Sequence, residues 1–225
     1  YKTYTENQLF SPEISTTTGY SKLYVNAGKV TNKGIELALG FKQNIGPVDW
    51  KTTLLWSLNR NRIDQLLPEY TNEELGVTVH LDEMDVYSLG GAKQRLTVGG
   101  SMGDVYVNTM RTDEHGHIWM NSMTGTLETD KNNYVYAGNT NPKYTLSWRN
   151  EFNWKGISLG FMLNARVGGI GVSATQAVMD YYGVSKTSAE ARDNGGVKVN
   201  GQMLDAQTWY QTIGANGTGY VGSMY

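Results

Sequence analysis

Residues 144–167, YTLSWRNEFNWKGISLGFMLNARV, decide the fold. Before Lys155-Gly156, Tyr144, Leu146, Trp148, Phe152 and Trp154 alternate with Thr145, Ser147, Arg149, Glu151 and Asn153. After it, Ile157, Leu159, Phe161, Leu163, Ala165 and Val167 alternate with Ser158, Gly160, Asn164 and Arg166. Successive residues of a β-strand point to opposite sides of the sheet, so each run has one apolar and one polar face. An earlier pair repeats the pattern. Ile35, Leu37, Leu39 and Phe41 oppose Glu36, Ala38, Gly40 and Lys42, and Val48, Trp50, Thr52, Leu54, Trp56 and Leu58 oppose Asp49, Lys51, Thr53, Ser57 and Asn59, Leu55 being the exception. Phe41, Trp50, Tyr144 and Trp154 lie near segment ends, where a membrane barrel carries its aromatic girdles. The pattern predicts transmembrane β-barrel strands.

Composition is compatible with that reading. The chain has 225 residues, 27 of them Gly and 15 Tyr, no Cys, and a formal net charge of −2. The lack of cysteine removes disulfide and thiolate chemistry, and the charge does not point to nucleic acid, which usually selects a basic face. Mean hydropathy is −0.45, and no apolar run approaches the ~20 residues of a spanning helix. A barrel tolerates this value because half of each strand faces a polar lumen. Tyr1 enters mid-strand, with neither a basic nor an apolar leader, as expected of a piece of a longer protein.

The layout predicts strands at about 1–9, 33–44, 48–62, 143–154 and 157–168, in one transmembrane domain. Long connections at 10–32, 63–142 and 169–225 alternate with short turns near 44–47 and 155–156. Outer-membrane barrels have long extracellular loops and short periplasmic turns, which assigns the two sides. Five strands do not close a barrel, since the smallest use about 8, so further strands are expected on both sides. Within the loops, Asp113–Gly116 reads as the turn of a hairpin between Val105–Val107 and His117–Met120. Ser173–Tyr182 before Gly183, and Asp205–Gly214, read as short capped helices.

Residues 26–37, Asn-Ala-Gly-Lys-Val-Thr-Asn-Lys-Gly-Ile-Glu-Leu, resemble the N-x-G-x-x-x-N-K-G-x-E-L signature of SusC/RagA-type TonB-linked outer-membrane receptors. Gly103–Tyr106, Arg111–Ile118, Gly138–Tyr144 and Phe161–Gly169 are similar to that family in the same order. The resemblance implies an all-β fold, here the C-terminal part of a large antiparallel barrel of roughly the 22-stranded type with a plugged lumen. It implies import of an oligosaccharide or oligopeptide across the bacterial outer membrane. A SusD-like surface lipoprotein would cover the mouth, and TonB would act through a plug and N-terminal region outside these residues.

Function is expected in the wall and loops. Glu36, Arg149, Glu151 and Arg166 face the predicted lumen, where they suit ion pairing or plug contact. Loop aromatics, chiefly Trp119, Tyr134, Tyr136, Trp209 and Tyr210, are the candidates for ligand or partner contact, joined by Tyr70, Tyr87 and Tyr220. Their faces stack on sugar rings or bury apolar peptide side chains. His115-Gly116-His117 beside Asp113 and Glu114 has metal-ligand residue types but reads as a solvated turn. Asp82, Glu83 and Asp85 lack the spacing of a calcium loop. No nucleophile elbow or phosphate loop is present, so neither enzyme activity, cofactor nor metal is expected. A passive barrel transporter and a soluble β-sandwich binding module are the alternatives.

Overall fold

The computed structural model describes residues 1–10, 24–73, 76–89, 91–216 and 221–223. Its principal sheet is antiparallel, ordered β1 (Lys2–Phe10), β2 (Val25–Ile45), β3 (Val48–Gln65), then two later strands at Tyr144–Trp154 and Ile157–Val167. Between β3 and these lie a hairpin, β4 (Leu67–Asn72) and β5 (Val77–Leu81), and a four-stranded sheet. That sheet comprises β6 (Glu83–Leu89), β7 (Ala92–Thr97), β8 (Asp104–Met110) and β9 (Thr129–Asn139), in that order. The later wall strands are therefore β10 and β11. Beyond them come β12 (Ile170–Val172), α1 (Ala174–Tyr181), α2 (Lys186–Asp193), the ribbon of β13 (Val197–Val199) and β14 (Gln202–Leu204), and α3 (Ala206–Asn216).

The register turns four alternating sequences into one apolar surface. Leu39 pairs with Leu54, Leu54 with Trp148, and Trp148 with Leu163. Two residues further along, Leu37, Trp56, Leu146 and Ala165 form the next row, and Ile45, Val48, Trp154 and Ile157 line the short-turn end. Paired residues share a face, so the rows are continuous across strands. Ile35 is 60% exposed and Leu163 58%. Leaving such side chains in water forfeits about 1.5–3 kcal/mol each, and a barrel avoids this cost by facing lipid. The opposite face carries Glu36, Ser57, Thr145 and Arg166 in one row and Lys42, Lys51, Glu151 and Gly160 in another. This is an arc of antiparallel barrel wall, in an all-β chain.

Asn150, which falls outside the sequence alternation, lies on the apolar face between Thr52 and Phe161, its cross-strand partners. It is 1% exposed. Trp50 and Phe152 stack with centroids 6.1 Å apart, and Phe152 stacks on Phe161 at 6.3 Å. Trp50 Nε1 donates to Asn150 Oδ1 at 3.1 Å, and Trp148 Nε1 donates to Thr52 Oγ1 at 2.9 Å. Thus the indole N–H groups of Trp50 and Trp148 are satisfied within the wall.

The wall strands outrun the stretches delimited by alternation: β2 begins at Val25 rather than near 33, and β3 ends at Gln65 rather than near 62. Their extension carries the main core, where Val30, Ile63, Leu66, Leu67 and Leu96 are buried together. Within the long 63–142 connection, β6–β9 therefore form a sheet that packs through Leu96 on the wall's prolongation. The tight turn at 113–117 forms, with Asp113 N–H donating to His117 O at 2.9 Å and Thr112 bridging Ile118. Val105–Val107, however, pairs with β7 on one side and β9 on the other rather than with His117–Met120, the Asp104–Asn139 hydrogen bond joining the ends of β8 and β9. The Lys155-Gly156 turn has both φ angles positive, +46° and +87°, the type I′ geometry that matches strand twist.

Helix α1 starts at the Ser173 cap, whose Oγ accepts from Gln176 N–H at 3.2 Å, and stops at Gly183. Asp205 caps α3, accepting from Thr208 N–H at 2.9 Å. Helix α2, unmarked in the sequence reading, starts at Ser185 by the same device.

Candidate ligand-contact surface

Sequence stretches with distinctive spacing converge at the long-loop end of the wall. Asp104, 8% exposed, accepts from Asn139 Nδ2 and from Ser101 N–H, each at 2.7 Å. Asn61 Oδ1 accepts from Ser101 Oγ at 2.5 Å and from Met102 N–H at 2.9 Å, which ties β3 to the loop before β8. Thr140 N–H donates to Gly103 O at 2.8 Å. A Cβ on Gly103 would stand 2.6–2.7 Å from Asn141, Asn139 and Thr140 side-chain atoms, so glycine permits this close approach. A cavity of about 220 Å³ opens beside these groups, reaching Arg60, Tyr136 and Lys143. The junction fixes the four-stranded sheet at the mouth.

One face of that sheet is charged and aromatic. The β7 residues Lys93 and Arg95, two apart, share this face with Asp85, Tyr106, Tyr134 and Tyr136. Lys93 Nζ sits 3.5 Å from the Tyr134 ring centroid and 2.6 Å from Asp85 Oδ2. Arg95 Nε donates to Asp85 Oδ1 at 2.7 Å, and its guanidinium lies 5.6 Å from the Tyr106 centroid. Tyr106 and Tyr136 pack edge to face at 5.6 Å. Burial raises the Asp85 carboxyl, but hydrogen bonds from Arg95 and Lys93 outweigh this and hold it below the usual carboxylate range. Burial, followed by the Asp104 charge, raises the Tyr136 phenol, which keeps it protonated as a donor. Chemically this is a stacking and hydrogen-bonding surface. It has aromatic faces for sugar rings or apolar side chains, and paired cations held in place beside them.

The other predicted contact residues are dispersed. Trp119 lies in the irregular 111–128 segment, with the Arg111 guanidinium 4.4 Å from its ring centroid. Arg111 also pairs with Glu128 at 3.0 Å and borders an open cavity of about 670 Å³. Trp209 and Tyr210 are on α3, where Tyr210 helps line a cavity of about 350 Å³ with Tyr181, Tyr182 and Arg192. Asn200 joins the two regions by bonding the backbone N–H and C=O of Ile118 at 2.9 and 2.7 Å. Tyr220 lies outside the described residues.

Among the wall charges, Arg149 pairs with Glu151, which also faces Lys51 at 4.0 Å. Arg166 instead donates to Thr140 O at 2.6 Å, bracing the junction. Glu36 is exposed on the same face. Asp113 is occupied in its own turn, accepting from the backbone of His115 and His117 at 2.9 Å, and the His117 bond leads in lowering its carboxyl. Among the described residues, no three His, Cys, Asp or Glu side chains are grouped to hold a metal. The sequence reading did not select Lys93, Arg95 and Tyr106. Their signal was two cations at a spacing of two beside a strand-forming Val-Tyr-Val, which only the register converts into one face.

The fold is similar to a chain in the structure of the RagAB peptide transporter, with a TM-score of 0.60 and 16% identity, covering 92% of this chain and 24% of that one. It is also similar to a chain of the RagAB peptide importer in the 'closed-closed' state, with a TM-score of 0.51 and 16% identity, covering 80% of this chain and 20% of that one. The likeness shows the fold. This chain spans about a quarter or less of the length of those chains. No protein-family model and no curated protein matches it.

Proposed function

We propose that this chain is wall and extracellular loop structure of an importer in the bacterial outer membrane, a TonB-dependent receptor of the SusC/RagA kind. The continuous apolar face through β2, β3, β10 and β11 carries this reading. Likeness to the RagAB structures and the ordered sequence signatures support it. The chain's contribution is passive: it excludes lipid, lines the lumen with polar groups and presents aromatic loops. A moving plug, driven by TonB through segments outside this sequence, performs the work. A SusD-like lipoprotein closes over the loops, and the cargo is an oligopeptide or oligosaccharide held by stacking and backbone hydrogen bonds. The chain carries no catalysis and uses no cofactor.

Purification of the full-length protein from native membranes in detergent, with mass spectrometry of what accompanies it, tests the reading. An equimolar surface lipoprotein is the expected result. A lone barrel that conducts small solutes without TonB would favour a passive transporter, and a protein that stays monomeric in water without detergent would favour a soluble module.

A further inference from the structure

Directly above the apolar band, on the same face, the register lines up cations from three adjacent strands. Lys2 pairs with Lys33, and Lys33 with Arg60. Lys33 lies two residues from Ile35 and Arg60 two from Leu58, so all three belong to the lipid-side face at the long-loop end. Neighbouring strands are about 4.8 Å apart, so the three Cα atoms span about 10 Å. All three residues are exposed. One row further out come Tyr4, Thr31 and Arg62. The Tyr4 ring, itself 55% exposed, has Lys2 Nζ 4.7 Å from its centroid.

The local acids are already engaged. Glu6 pairs with Lys29 at 2.8 Å, while Asp64 accepts from Thr31 and faces Arg62 at 3.8 Å. Among the described residues, no carboxylate lies within ion-pair distance of Lys2, Lys33 or Arg60. Arg60 is steered sideways, donating to Lys143 O at 3.0 Å. A row of unbalanced cations where an apolar wall meets water, with an amphipathic tyrosine beside it, is complementary to a lipid whose acyl chains lie on the wall and whose phosphate sits at its rim.

We infer that Lys2, Lys33 and Arg60 form a docking site for a phosphorylated lipid headgroup of the outer leaflet. Acyl chains would follow the Ile35/Leu58 and Leu37/Trp56 rows below. The inference rests on the reading of this face as lipid-facing and of the long loops as extracellular.

The test uses the full-length protein in detergent, titrated with bisphosphorylated lipid A, with the same lipid stripped of phosphate, and with inorganic phosphate. Binding is read by native mass spectrometry. Wild type is expected to retain the phosphorylated lipid selectively. Lys2→Gln/Lys33→Gln/Arg60→Gln is expected to lose about a hundredfold in affinity, as removal of three surface cations implies. Lys33→Gln alone is expected to lose about fivefold, and Lys42→Gln/Lys155→Gln/Lys186→Gln, which removes equal charge elsewhere, to bind as wild type. Heat-dependent gel migration checks that each barrel is folded. Equal retention by folded wild type and the first triple variant overturns the site. So does indifference to the lipid's phosphates, or displacement of the lipid by millimolar inorganic phosphate. Failure of the wild type to enter bilayers would instead overturn the outer-membrane reading itself.

Discussion

Asn139 donates its side-chain amide to Asp104 at 2.7 Å, joining two stretches that stand 35 residues apart in the chain. Each belongs to a run with distinctive sequence, and the bond explains why such runs sit at strand ends: they knot the loop sheet to the barrel rim. Asp104→Ala leaves the Asn139 amide and Ser101 N–H without their acceptor, a cost of about 2–4 kcal/mol. The β7–β9 region of the variant is expected to be cut by protease at least tenfold faster, while the wall strands stay protected. Unchanged cleavage would remove the junction from the account.

Asn150 and Ser147 give a directional test of the wall. Asn150→Asp places a charge at a position that is 1% exposed on the apolar face, and a cost of about 1–3 kcal/mol is expected, less than a lysine or arginine at the bilayer centre would impose. Ser147→Asp, on the polar face between Leu55 and Asn164, is expected to be near neutral. Urea unfolding of the full-length protein in lipid vesicles compares the two.

Asp85 makes the loop sheet acid-sensitive. Its folded-state carboxyl titrates below the unfolded value, so the stabilisation is full above the unfolded carboxylate range and is lost as pH falls through the lowered folded value. The protection factors for hydrogen exchange in β6 and β7, which are referred to the intrinsic rate at each pH, are expected to fall on acidification below about pH 4, where model carboxylates titrate. Asp85→Asn should exchange faster at neutral pH and lack that acid step.

Tyr134 sits under Lys93, which holds the ring in place on the loop sheet and leaves its other face for a stacking partner. On the proposed function, Tyr134→Ala in the full-length protein is expected to weaken binding of the proposed peptide or glycan cargo about tenfold by isothermal titration, given the ~1–2 kcal/mol of one aromatic contact. Trp119→Ala, in a separate region, should have a smaller effect on the same cargo.

The wall was legible because a period-2 pattern has one physical cause, a sheet with unlike faces, and the register set Leu39, Leu54, Trp148 and Leu163 in the row that alternation implied. Asn150 broke the pattern because its compensation is tertiary: Trp50, distant in sequence, supplies the hydrogen bond and the cover. The helix caps at Ser173 and Asp205 were readable as local chemistry, whereas α2, as short as α1, is too polar to show a periodic face. The loop sheet was largely illegible. Val105–Val107 could pair with any nearby strand, and the choice of β9 depends on Asp104, Asn139 and Gly103 meeting in space. For the same reason the predicted aromatics separated, Tyr134 and Tyr136 going to one face and Trp119 to another region.

Whether the wall faces lipid can be measured directly, and these 225 residues bring no cysteine of their own to a labelling experiment. Single cysteines at Leu39, Thr53, Leu54, Ser147 and Leu163 of the full-length protein, spin-labelled in outer-membrane vesicles, can be read for collision with oxygen and with a water-soluble nickel chelate. Oxygen is expected to dominate at 39, 54 and 163 and the chelate at 53 and 147. Chelate access at all five positions would contradict a membrane wall and return the chain to a soluble sheet.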